Sequence, residues 1–276
     1  MRIRLRHDLH FSWDRPVRSV LQSLRITPRD HEAQHIGHWH IRTDVDCRLS
    51  NGEDAFGNLT HTCDADGPLE SLTISIDGLV FTTDMAGVVR QSVERFVPEL
   101  YLRDTPASAT DPDLRAFALK IVPKPKDKLE IMHDLMGAVH ERLKVNLDGE
   151  DSTAAAAFAA KSANAADTSH VLIALARHLE IPARYVSGYL IEDGAAIPHG
   201  WMEAHTGEIG WVGFDATLDL CPQESHLRVA IGLDALGARA VRCAPSSFAA
   251  ETMTSKIMLR EPAKAAASQQ QSQTQS

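Results

Sequence analysis

The sequence predicts an α+β chain with a β-rich first third, a helical middle and a closing run of strands. Three observations carry this. Arg2 to Trp13 alternates apolar and polar side chains with period two. Lys126 to Lys144 carries an apolar stripe at helical spacing. Residues 183–216 hold three short strand-like runs between turn-forming residues.

The elements follow in order. In the first strand Ile3, Leu5, His7, Leu9 and Phe11 share one face. Further strands are expected at 17–26, 35–43, 58–63 and 70–82, where Leu72, Ile74 and Ile76 alternate again. Asp14-Arg15-Pro16, Thr27-Pro28-Arg29-Asp30, Asn51-Gly52, Phe56-Gly57-Asn58 and Asp66-Gly67-Pro68 punctuate them. Short strands at this spacing suggest a small β-sandwich over residues 1–83. A connector is expected over 84–110. Asp111-Pro112-Asp113 then starts a helix through Ile121, with Pro near its first position. Leu129, Met132, Leu135, Met136, Val139 and Leu143 form the core-facing stripe of the next. Asp151-Ser152-Thr153 caps an Ala-rich helix to about Lys161. A central helix starts near Asp167, with Val171, Leu172, Leu175 and Leu179 spaced for burial. Strands are expected at 183–192, 198–205, 210–216, 226–234 and 253–260. The last residues, 263–276, are low in complexity and read as disordered.

Composition narrows the function classes. A net charge of −9 argues against nucleic acid or an anionic membrane as the main partner. The first residues lack a secretory apolar stretch, and no apolar run approaches a membrane span. Cys47, Cys63, Cys221 and Cys243 are scattered without a CxxC pair, so free thiols in a reducing cytoplasm are expected. His31, His35, His38 and His40 cluster locally, but no cysteine or patterned carboxylate completes a metal set. They read as a polar strand face; no metal and no cofactor are expected.

The chemistry is concentrated between Ala166 and Thr217. His199 and Asp215 lie symmetrically about Gly207, so a hairpin turning through Thr206-Gly207-Glu208 would set them directly opposite, with Trp201 facing Gly213. Cross-strand Cβ atoms sit about 5 Å apart, close enough for a carboxylate to hold an imidazole. A base and its orienting acid have that geometry. On the hairpin alone, His199 reads equally as a strand histidine paired with a surface Asp.

The longer pattern decides between them. IPARYVSGYL at 181–190, HGWMEA at 199–204 and GWVGFDAT at 210–217 resemble, in this order, the transglutaminase-like core family. The resemblance covers residues 111–262. DRPV at 14–17, LRITPRD at 24–30 and DAFGN at 54–58 look like the N-terminal domain that precedes this core in bacterial members. HLRVAIGLDA at 226–235 is similar to the stretch after the family's catalytic Asp. The resemblance implies a papain-like fold, with helices packed on an antiparallel sheet. It also implies a thiol mechanism, in which a Cys at a helix N-terminus attacks a carboxamide or peptide carbonyl. Helix dipole and imidazole lower that thiol's pKa. His199 matches the family's catalytic His and Asp215 its catalytic Asp. Trp201 and Trp211, on the strands that carry them, are expected to line the ligand site, and His170 matches a family His read as structural.

The nucleophile is missing. The family's Gly-Val-Cys-Gln-Asp segment falls on Ala163, Asn164, Ala165, Ala166 and Asp167, so Ala165 stands at the cysteine position. An alanine methyl forms no acyl intermediate. Ser162, Ser169 and Cys221 are the candidate substitutes, but nucleophile placement tolerates about 1 Å. The leading expectation is a catalytically degenerate member that binds a peptide or protein in its cleft. Against it stand an active peptidase or amide acyltransferase with a displaced nucleophile, and a structural partner of an active relative.

Overall fold

The computed structural model describes residues 1–146, 149, 151–244 and 250–259. The expected tail over 263–276 lies outside them. Two long strands, β1 (Arg2–Thr27) and β4 (Leu59–Thr82), form the N-terminal frame, with β2 (Gln34–Thr43) and β3 (Arg48–Glu53) on β4. The breaks expected at Pro16 and Gly67-Pro68 are register shifts instead: pairing lapses between Ser12↔Ser71 and Val17↔Leu69, then resumes. Pro16 has no N–H to donate, and it sits in this gap where the ladder asks nothing of it. Asn51-Gly52 likewise lies within β3, paired to His61 and Thr60. Ile3, Leu5, Leu9 and Phe11 from one half of β1 share a core with Val17, Val20, Leu24 and Ile26 from the other.

Caps set the helices as the sequence suggests. Asp111 accepts the Leu114 N–H to start α1 (Pro112–Ile121), and Thr153 accepts the Ala156 N–H to start α3 (Ala154–Ala160). Asp127 caps α2 (Lys128–Arg142). The central helix, α4 (Ala165–His178), begins two residues before the expected Asp167, because the Asn164 side chain takes the Asp167 N–H. A two-residue strand β5 (Val88–Val89) precedes these helices; β6 (Lys144–Val145) and β7 (Ser162–Ala163) pair in parallel beside α3.

The second sheet holds the site. It comprises β8 (Ala183–Glu192), β9 (Ala195–His205), β10 (Trp211–Phe214) and β11 (His226–Gly232), in the order β11-β8-β9-β10-β5 and antiparallel throughout. Leu172, Leu175 and Ala176 of α4 pack with Tyr185, Met202, Ala204 and Phe214 on one face of this sheet. Tyr189, Leu227, Val229 and Ala230 join the N-terminal core. The chain then returns: β12 (Val241–Ala244) and β13 (Glu251–Leu259) both pair with β1, so residues within the span expected for the core complete the N-terminal sheet. No described helix is long and apolar enough to cross a membrane.

β11 is an edge strand, and side-chain amides cover it. Asn58 donates to Ile231 O and accepts its N–H, both at 2.8 Å. Gln34 does the same to Arg228, both at 2.9 Å. Each amide mimics one rung of a missing strand and satisfies an otherwise open edge. The DAFGN motif supplies one of them, with Asp54 holding the Phe56 and Asn58 N–H groups.

Candidate active site

The hairpin register differs from the expected one. Trp211 pairs with His205, Val212 with Ala204, Gly213 with Glu203 and Phe214 with Met202. A 3-10 turn over Gly207–Ile209, closed by Gly210 at φ +87°, lengthens the loop and moves the centre of symmetry one residue on. His199 and Asp215 are therefore diagonal neighbours, not direct partners, and Gly213 faces Glu203 and not Trp201. Both still lie on one face, because a centre shift of one residue leaves odd positions opposite odd. Asp215 falls just beyond β10, held by a bridge to Leu220.

From there the two side chains meet. His199 Nε2 and Asp215 Oδ2 are 2.6 Å apart, and His226 Nε2 approaches the same oxygen at 3.2 Å. The backbone N–H of Thr217 donates to the other oxygen at 2.9 Å. All three side chains of the cluster are buried. Burial alone would raise the Asp215 carboxyl, but hydrogen bonds from both imidazoles and their charge outweigh it, holding the group at about 2. The carboxylate is thus ionised and an acceptor, so His199 donates through Nε2 and presents Nδ1 elsewhere. His199, Ala165 and Ala166 line one open cavity of about 1300 Å³ between the N-terminal sheet and the α4 end of the core.

His199, Asp215 and His226 also group three metal-ligating types with donor atoms within 4.8 Å of one another. The hydrogen bonding does not suit a cation. His226 Nδ1 faces the Gln223 N–H at 3.3 Å, so this nitrogen accepts and Nε2 carries the proton given to Asp215. A metal-bound imidazole would instead donate from its far nitrogen.

One hydroxyl pins the helix to the histidine strand. Ser169 donates toward Ala165 O at 2.8 Å and Gly200 O at 3.2 Å, tying the first turn of α4 to the residue after His199. Gly200 is required there: a Cβ would lie 1.9 Å from the Tyr185 hydroxyl oxygen. Tyr185 is only 5 % exposed and cannot retreat. Gly200→Ala is therefore expected to cost about 1–3 kcal/mol of stability by overpacking, read from the midpoint of a urea titration.

Residues 3–80 match the bacterial transglutaminase-like N-terminal region, and residues 115–216 match the transglutaminase-like superfamily. The chain is a two-region transglutaminase-like protein. An uncharacterized protein of Mycobacterium leprae (strain TN) is 23% identical over 255 residues, spanning 84% of this chain and 89% of its own. A solved candidate cysteine protease from Cytophaga hutchinsonii shares the fold, with a TM-score of 0.74 at 19% identity over 95% of this chain and 91% of that one.

Within this transglutaminase-like frame some expected site residues move. Trp201 is buried and packs on the rings of His199 and His226, at 6.3 and 5.3 Å between centroids. It supports the imidazoles and does not line the large cavity. Trp211 lies elsewhere, with the Arg184 guanidinium 3.9 Å over its ring. Neither indole lines the cavity, although both share the sheet face of His199: they lie farther along the strands than the cavity reaches. The N-terminal histidines do not converge either: His38 stacks on His40 and bonds Asp77, while His35 pairs with Asp30. His170 is buried and accepts the Ala235 N–H at 3.0 Å, anchoring the segment after β11. Sequence reasoning does not single out His226. Its signal is the HLRVAIGLDA stretch, but only the sheet order brings β11 close to the His–Asp pair.

Proposed function

We propose that this transglutaminase-like protein is a catalytically degenerate member that binds a peptide or protein segment in the His199–Asp215 cleft without forming an acyl-enzyme. The observation that carries the reading is a base and orienter kept in bonded geometry beside a helix N-terminus whose first residue, Ala165, bears only a methyl. The cavity exceeds the usual small-ligand volume of roughly 300–1,000 Å³ and suits an extended chain.

The described thiols and hydroxyls support it. Cys243 lines the cavity, but burial and its contact with Glu251 push the thiol up to about 11, far from a thiolate. Burial and the neighbouring Cys47 push the Cys63 thiol up to about 12. Cys221 sits against Gly87, where burial raises its thiol. Ser169 is committed to two carbonyl oxygens, and Ser162 belongs to the β6–β7 ladder.

Two measurements test the proposal. Incubated with a glutaminyl peptide and a fluorescent amine, the purified protein is expected to show neither amine incorporation nor hydrolysis. Turnover that resists iodoacetamide and vanishes in Ser162→Ala or Ser169→Ala would overturn the reading in favour of a displaced nucleophile. A fluorescein-labelled hexapeptide pool is expected to bind. Leu236→Glu, at an exposed wall of the cavity, is expected to weaken that binding without loss of fold.

A further inference from the structure

The geometry points to a carboxylate as the group this cleft receives, held between the N-terminus of α4 and His199. The inference rests on the peptide-binding reading and specifies the ligand chemistry of the same site.

Two features converge on one volume. The first is the start of α4, a 14-residue helix. Asn164 satisfies the Asp167 N–H through its side chain and the Thr168 N–H through its carbonyl. The N–H groups of Ala165 and Ala166 have no partner among the described residues, and the helix dipole adds positive potential there. The second is His199, only 7 % exposed, with Nε2 bound to Asp215 and Nδ1 without a partner among the described residues. Both features line the same cavity, and the Ser169 hydroxyl holds the helix turn to the strand that carries the histidine.

The charge logic follows from the residue at 165. A thiolate in that position would be the anion that helix end and imidazole are arranged to stabilise. The methyl of Ala165 leaves both donors in place and supplies no negative charge. Nearby acids are otherwise engaged: Asp167 takes the Ser152 N–H and hydroxyl, and Asp151 pairs with Arg239. A ligand carboxylate supplies the missing anion.

Protonation completes the fit. Neutral His199 donates to Asp215 and offers a lone pair at Nδ1. A ligand carboxylate on that side sets the ring between two carboxylates, which favours the imidazolium. One proton is taken up from solvent onto Nδ1, and that N–H donates to the ligand. Asp215 and His226 adjoin the ring, and the cavity is also lined by Tyr185, Asp151, Arg239, Arg25, Arg242 and Glu251.

Such a carboxylate can come from a peptide C-terminus or from a glutamate side chain. Three probes distinguish them: N-acetyl-trialanine as the free acid, the same peptide as its C-terminal amide, and N-acetyl-Ala-Glu-Ala-amide. Calorimetric titration of the full chain at pH 6 is expected to show at least one acid binding roughly tenfold or more tighter than the neutral amide. His199→Gln is expected to erase that preference. Ala165→Asp is expected to erase it too, because it places an acid of the chain's own in the first helical turn, where an acidic residue favours folding. Unchanged unfolding midpoints show that both variants fold. If neither acid binds better than the amide, the carboxylate assignment is overturned while the peptide cleft stands. If none of the three probes nor the hexapeptide pool binds, the peptide-binding reading falls and takes this assignment with it.

Discussion

Replacing Glu203 by alanine is expected to lower the unfolding free energy by about 3–5 kcal/mol, the cost of leaving a buried charge without its partner. Glu203 is fully buried on β9, and two guanidinium groups depend on it. Arg184 Nε donates to Oε2 at 2.7 Å and Arg228 Nε to Oε1 at 2.7 Å. Arg184 is itself fully buried; Glu94 takes its remaining fork at 2.6 and 3.0 Å, and Trp211 covers its face. Truncation at 203 leaves Arg228 without its carboxylate and Arg184 with only the partly exposed Glu94, whereas truncation at Glu94 leaves both guanidinium groups on the buried Glu203. Glu94→Ala is therefore expected to cost less. Urea unfolding of the two variants checks the order, and a Glu203→Ala loss below about 1 kcal/mol would show that solvent reaches the cluster. The same carboxylate sets an acid limit. Burial alone would raise its pKa, but the charges and hydrogen bonds of Arg228 and Arg184 win and hold it at about 2. Because the folded value lies below the unfolded one, this stabilisation is present above about pH 4.5. It is lost as pH falls toward 2.

What the sequence could and could not disclose divides along physical lines. One-faced burial wrote the alternation of Ile3, Leu5, Leu9 and Phe11 into the chain, and capping chemistry wrote Asp111 and Thr153. Those signals are local. The continuity of β1 through Pro16 is not legible, since proline reads as a stop unless the ladder happens to lapse at that residue. The loop after His205 departs from the expected turn because nothing in Gly-Glu-Ile-Gly announces a 3-10 turn rather than a tighter one. The His–Asp pairing survives that difference: pleating fixes the face by parity, and parity does not change. His226 and the return of β12 and β13 to β1 are matters of strand order, set by long-range packing. The tryptophans fall outside the cavity although they share the face of His199: alternation assigns a face without telling how far along the strands a cavity reaches.

The sharpest probe of the site's electrostatics is a cysteine introduced at 165. In Ala165→Cys the new thiol stands at the first position of α4, beside two N–H groups without a partner among the described residues and in the cavity that His199 lines. Helix end and imidazolium both favour thiolate, and cysteines so placed titrate at roughly 3.5–7.5 instead of 8.5. At pH 6 the thiolate fraction, and with it the iodoacetamide rate, is therefore expected to exceed that of an ordinary exposed thiol by about 10- to 100-fold. The chain's own cysteines serve as internal controls, because burial holds the thiols of Cys63, Cys221 and Cys243 above their usual range. His199→Ala in the Ala165→Cys background is expected to remove much of the acceleration, and Asp215→Asn to remove less, since it frees the ring without deleting it. Hydrolytic turnover need not return with reactivity. The resemblance sets Ala163 and Ala166 against a Gly and a Gln of the family, and an oxyanion needs donors aimed at its own position rather than at a thiolate. An introduced thiol at position 165 that reacts no faster than an exposed one, with or without His199, would mean that the helix end and imidazole no longer act on a common point. The carboxylate site proposed above would lose its basis by the same measurement.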